Sequence, residues 1–207
     1  MRLVRSIHVL VFSVVTLVFL LGVLLGMKVF EYRIKEFETT SKLLRRYLMD
    51  LQLQALIASK NICNIDVTRM GEDKIRLGKY LSVLESQLGK EHKDVLDLKR
   101  DYTLLSIHQW VLMKDYQEKC DPNITLVLFF YSNVNNVSEC EKQGYVLDYL
   151  YYSHPKTVVV YALDYDIDMG SLNVLKELYN VRTVPTVIIN DVKLEGFHSF
   201  DELERMI

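Results

Sequence analysis

Cysteine and proline are scarce, with three of each in 207 residues. So few cysteines exclude a disulfide scaffold standing in for a hydrophobic core, and so little proline beside eight glycines excludes collagenous or low-complexity chains. Neither sign of charge dominates. The 25 Lys and Arg against 27 Asp and Glu leave a net of −2, too balanced for a chain built mainly to coat nucleic acid. The five histidines (His8, His92, His108, His154 and His198) show neither i,i+4 spacing nor pairing with cysteine, so no zinc site is expected. No Gly-rich phosphate loop occurs. Asp164, Asp166 and Asp168 lack the glycine and the terminal glutamate of a calcium loop and read as a solvated acidic loop. Neither a metal nor a cofactor is expected.

Half of the residues are hydrophobic, enough to bury a core. From Val9 to Met27 the chain runs nineteen residues without a charge, which at about 1.5 Å per residue approaches the thickness of a bilayer core. An uncleaved membrane anchor is the expectation. A signal peptide competes with it, but the run is long for one and no small-residue cleavage pair follows. Basic residues flank both ends (Arg2 and Arg5, then Lys28, Arg33 and Lys35), so the positive-inside rule is close to a tie.

Charge divides the rest. Residues 1–120 carry 19 basic and 14 acidic groups, net +5, and residues 121–207 carry 6 and 13, net −7. With Asp121-Pro122-Asn123 as the break, three regions are expected: a tail and transmembrane anchor over 1–30, an antiparallel helical stalk or bundle over 31–120, and a separate domain over 121–207. The stalk rests on three apolar stripes of helical period: Leu43, Leu44, Tyr47, Leu48 and Leu51; Leu77, Leu81, Leu84 and Leu88, stopped at Gly89; and Val95, Leu98, Tyr102, Leu105, Leu112 and Tyr116. Running up, down and up again brings Cys63 and Cys120 to one pole, within reach of a disulfide, with buried unpaired thiols as the alternative. A bridge would imply an oxidising compartment and an extracytoplasmic domain, with the N-terminus inside.

The last region reads strand, helix, strand, helix, hairpin, helix. Ile124–Tyr131 and Thr157–Leu163 are continuous apolar runs suited to strands buried on both faces, and a helix over Ser138–Tyr152 joins them as a parallel crossover. A helix over Ser171–Tyr179 follows. Val184–Ile189 opens a third strand, Asn190-Asp191 turns it into Val192–Glu195, and Ser199 with Glu202 forms a capping box for a last short helix.

This order, with Val184-Pro185 directly before the third strand, resembles the thioredoxin-like superfamily over nearly all of residues 121–207. The resemblance implies an α/β domain with a mixed four-stranded sheet and flanking helices, a cis-proline at Pro185, and a redox loop at the start of the first helix. There the chain departs from the family. In Val137-Ser138-Glu139-Cys140 valine replaces the nucleophilic cysteine, so dithiol exchange within this motif is impossible. Cys140, a turn into the helix beside Glu139 and Glu141, is expected to be a poor thiolate. Cys120 lies a whole strand away, roughly 20 Å or more, and cannot complete the pair.

The expected function is therefore a membrane-anchored, extracytoplasmic, redox-inactive protein-binding or assembly module. Its loop around Val137, Ser138, Val184 and Pro185 would receive an extended segment of another protein. The reading leans away from an enzyme, and the alternative is a monothiol thiol-disulfide oxidoreductase working through Cys140. Two Asn-x-Ser/Thr sequons, at Asn123 and Asn136, matter only in a glycosylating compartment. Tyr145, Tyr149, Tyr151 and Tyr152 crowd the first helix, as core residues or as an aromatic binding face.

Overall fold

The computed structural model describes the backbone of residues 2–64 and 67–207, and the side chains of residues 12–28, 45–54, 56, 57, 59–64 and 75–207. The chain forms two compact units, Met1–Arg46 and Tyr47–Ile207. Helix α1 spans Arg2–Ala58.

In the first unit the transmembrane expectation is corrected. Among the described residues no helix is long and apolar enough to cross a membrane. The described side chains of the apolar run begin at Phe12, so Val9, Leu10 and Val11 lie outside them. The membrane partner and the single-pass location with an inside N-terminus fall with the span. Leu43 and Leu44 also lie outside the described side chains.

The second unit begins with Leu48 and Leu51 of α1 buried, followed by a short 3-10 turn, Ile62–Asn64. Helix α2 (Val67–Leu88) buries Leu77, Leu81 and Leu84 but leaves Leu88 partly exposed. It ends at Gly89, whose φ of +91° is the left-handed conformation that glycine adopts at least cost. Helix α3 (Lys93–Lys119) starts where the Nδ1 of His92 accepts the Asp94 N–H at 3.3 Å. Cys63 and Cys120 are joined by a disulfide with Cα atoms 5.3 Å apart, as the helix arithmetic places them.

Four strands follow: β1 (Thr125–Tyr131), β2 (Val158–Asp164), β3 (Thr186–Ile189) and β4 (Val192–Glu195), in the spatial order β2-β1-β3-β4. β1 pairs parallel with β2, Leu128 opposite Tyr161, and antiparallel with β3, Leu128 opposite Ile188. Helix α4 (Val137–Ser153) is the parallel crossover, α5 (Gly170–Leu178) connects β2 to β3, and α6 (Phe200–Glu204) closes the chain. The hairpin turn is at Asn190 and Asp191, with φ of 45° and 71°, the double positive φ of a type I′ turn. The Ser199 and Glu202 capping box is formed. A mixed four-stranded sheet with helices on both faces and this strand order is a thioredoxin-like fold.

Because side chains alternate along a strand, β1 feeds two cores. Leu126, Leu128 and Phe130 enter one with Leu172 and Leu175 of α5, while Val127 and Phe129 enter the other with Leu147 and Leu150 of α4 and Leu203 of α6. The first core also takes Ile107, Trp110 and Met113 from α3. No packing boundary falls at residue 120, where the charge split places one, because α3 serves the sheet as one of its covering helices.

The Cys63–Cys120 bridge closes a long loop, with a sequence separation of 57. Replacing both cysteines by alanine is expected to lower unfolding free energy by roughly 2–4 kcal/mol through the freed unfolded chain. Urea denaturation with and without reductant measures it, and equal midpoints would refute a stabilising role.

Candidate functional site

The site expected from sequence lies where β1 hands over to α4. Tyr131 ends the strand, Ser132–Asn136 form the loop, and Val137 opens the helix. Asn136 precedes the helix in the left-handed region, φ 50°, and makes no capping hydrogen bond with its side chain. Its Nδ2 instead donates to the Val184 carbonyl at 2.9 Å. The Val184–Pro185 peptide is cis, as the resemblance implies. The structure thus brings Val137, Val184 and Pro185 into one neighbourhood through Asn136, with Ser138 exposed on the next helical position. Val184 and Pro185 are buried, and the Pro185 carbonyl accepts the Gly196 N–H at 2.8 Å.

Cys140 is the free cysteine and is only 4% exposed. It sits on the inward face of α4 because it follows the helix start by three residues and shares its side with Gln143, Leu147 and Leu150. Its Sγ accepts the Ser132 N–H at 3.5 Å and lies 3.9 Å from the Asn135 carbonyl, to which the thiol donates. Burial pushes the thiol pKa up against the lowering pull of the Ser132 N–H, and the charges of Glu139, Asp166 and Asp164 push the same way as burial. Glu139 acts as expected, whereas the two aspartates replace Glu141 in that role. Cys63 and Cys120 are bonded to each other, which leaves Cys140 no dithiol partner within the chain.

A buried polar network holds this loop, and sequence reading does not find it. Lys99 of α3, 4% exposed, places Nζ 2.9 Å from Glu85 of α2 and 3.1 Å from Asp164 at the end of β2. Asp164 Oδ2 also accepts the Asn133 amide at 2.8 Å. Asp166 Oδ2 accepts the Ser132 hydroxyl at 2.7 Å and the Asn133 N–H at 3.1 Å. The Ser132 hydroxyl oxygen in turn accepts the N–H groups of Val134 and Asn135. Lys90, just past α2, donates to Asn133 Oδ1 at 3.1 Å. Every residue of the loop before Asn136 is therefore hydrogen-bonded to something fixed. Of the acidic loop expected as solvated, Asp166 and Asp168 are exposed, whereas Asp164 is buried; Asp164 and Asp166 both serve as acceptors for the loop. Burial works against the charge of Lys99, but its bonds to Glu85 and Asp164 more than offset it, and its pKa is raised.

Between α2 and α4 a cleft of about 400 Å³ runs beside the loop. Phe129 and Tyr131 floor it, Glu85 and Lys90 line one wall, and Cys140 and Glu141 line the other. Among the described residues no group of three or more His, Cys, Asp or Glu is placed to hold a metal ion. The arrangement offers a shaped cleft and a positioned backbone loop, with one thiol that is largely protonated at neutral pH.

No family model and no curated protein matches the chain. Among solved structures it is similar to thioredoxin-2, described as a component of the malaria parasite protein secretion machinery, at 23% identity over 39% of this chain and 78% of that one, TM-score 0.34. It is similar to chloroplastic thioredoxin z at 16% identity over 45% and 82%, TM-score 0.36. It is also similar to the germline-specific thioredoxin Deadhead of Drosophila melanogaster at 25% identity over 45% and 87%, TM-score 0.30. Strand order and pairing register, rather than these overlaps, define the fold.

Removing the cation from the buried network leaves Asp164 uncompensated. Lys99→Met is expected to cost about 3–5 kcal/mol at neutral pH, read by urea denaturation; a loss below about 1 kcal/mol would show that the ion pair is not structural. A lysine whose folded pKa is raised contributes fully below its unfolded value and loses that contribution as pH rises past it. Wild-type stability should therefore fall above pH 10.5. Half-buried Tyr102, pushed up to about 12, adds a fall in the same direction, so the shallower alkaline slope of Lys99→Met isolates the lysine part.

Proposed function

We propose that this thioredoxin-like chain is a redox-inactive protein-binding module. The observation that carries the reading is the state of Cys140. It is buried, held by Ser132 and Asn135, disfavoured as a thiolate, and preceded at the helix start by Val137, where the attacking sulfur of a dithiol pair would stand. A single thiol can enter a mixed disulfide but has no internal thiol to release it. Catalytic turnover on protein disulfides therefore has no route within the chain.

The surface we assign to the partner is the loop around Val137, Ser138, Val184 and Pro185, and the partner is an extended segment of another protein. The Asn136 amide on the Val184 carbonyl occupies the acceptor that an incoming strand would use. Binding exchanges one N–H donor for another at that carbonyl, so the site stays hydrogen-bonded in both states and an unsatisfied buried acceptor is avoided. A second reading, a monothiol oxidoreductase, is favoured by one feature: Cys140 lines the cleft between α2 and α4, which gives a small disulfide a way in.

An insulin-reduction assay with dithiothreitol as the electron source separates the two. The wild-type chain is expected to give no acceleration over dithiothreitol alone. Val137→Cys, which supplies two thiols that can close to a disulfide while the insulin disulfide opens to two thiols, is expected to accelerate it. Turnover by a chain retaining only Cys140, with Cys63 and Cys120 replaced by alanine, would overturn inactivity and establish the monothiol reading.

A further inference from the structure

Helix α4 packs on the sheet through Cys140, Gln143, Leu147 and Leu150. Its opposite face carries Tyr145, Tyr149 and Tyr152, spaced i, i+4 and i+7, which aligns three rings along about 10 Å of the outer surface. They are 73%, 61% and 62% exposed. Single exposed aromatics are ordinary, but three in a row are not, since lysine, glutamate or alanine would serve an outward helix position better. Two of the rings are already positioned. Tyr149 meets Phe200 of α6 edge to face with centroids 4.8 Å apart, and Tyr152 meets Tyr151 at 5.4 Å. A partner would find rings that lose little rotamer freedom on binding.

The charge around the stripe selects the partner. Glu139, Glu141 and Asp148 on α4 join Asp201, Glu202 and Glu204 on α6, while Lys142 is the basic residue on these two helices. Glu141 lies one turn before Tyr145, and Asp148 lies one turn after Tyr145 and one turn before Tyr152, so a cation over either ring also faces a carboxylate. Burial pushes the Asp148 carboxyl pKa up, and the charge of Lys79 on α2 works against that rise. Two copies of this face brought together would set acid against acid, which disfavours self-pairing, and anionic lipid or nucleic acid is repelled for the same reason. The planar guanidinium of arginine fits ring face and carboxylate together better than the ammonium of lysine.

We propose that the outer face of α4, through Tyr145, Tyr149 and Tyr152 rimmed by Glu141 and Asp148, docks a basic, arginine-bearing segment of another protein. This surface is separate from the loop at Pro185, and its test does not pass through Cys140.

Fluorescence anisotropy of labelled twelve-residue peptides, titrated with the full chain at about 0.15 M salt, where exposed charges are screened beyond a Debye length, tests it. Three peptides share one apolar frame and carry arginine, lysine or glutamate at every third position. The arginine peptide is expected to bind saturably, the lysine peptide several-fold more weakly, and the glutamate peptide not at all. Tyr145→Ala, Tyr149→Ala and Tyr152→Ala combined are expected to weaken the arginine peptide by about tenfold or more, and the matching Tyr→Phe set to retain it. Circular dichroism of the variants checks that the helix persists. No binding, or equal binding of the arginine and lysine peptides that survives the alanine set, overturns the proposal. A wild-type dimer that becomes a monomer in the alanine set, read by sedimentation, overturns it in favour of a second copy.

Discussion

Strand β1 cannot be solvated on either side. From Thr125 to Phe130 every side chain is buried, and the alternation of the strand sends successive residues to opposite faces. Such a strand is stable only between two layers, and the layers must come from elsewhere in the chain. On one face they are α3 and α5, and on the other α4 and α6. The parallel partner β2 and the antiparallel partner β3 then fill its two edges. The direction of α4, the depth of Cys140 and the position of Pro185 all follow from where this strand ends.

Much of this was legible in the residues, and the reasons differ from element to element. Strands β1 and β2 show as unbroken apolar runs because both faces are covered. The hairpin shows in Asn190-Asp191, since few residues accept the positive φ that the turn needs. The disulfide follows from helices of comparable length that return to one pole. Helix α3 packs on α2 and also on the sheet, and an apolar stripe of period 3.6 reports that one face is covered but says nothing about whether a helix or a sheet covers it. Its Ile107, Trp110 and Met113 meet strands.

The network around the loop was invisible for a different reason. Lys99 and Asp164 are 65 residues apart, and neither stands in a motif. A lone lysine beside an apolar stripe reads as a solvated side chain, because long basic side chains usually reach water. Only the folded arrangement shows that α2, α3, β2 and the β1–α4 loop share one cation. In the sequence Asn136 stands as part of a sequon, whereas in the fold its amide closes the carbonyl ahead of Pro185. The loop is thus fixed from one side by charge and from the other by a single amide, and a valine begins the helix that follows.

The covalent link between Cys63 and Cys120 has a mechanical meaning. Tension applied along α1 reaches residue 63, crosses the sulfur bridge, and enters the chain again at residue 120, a few residues ahead of β1. Helices α2 and α3 lie in the bypassed segment and carry none of that load in series. Pulling on the N-terminal end therefore loads the central strand directly, and the segment between the two sulfurs can add no length until the bridge is reduced.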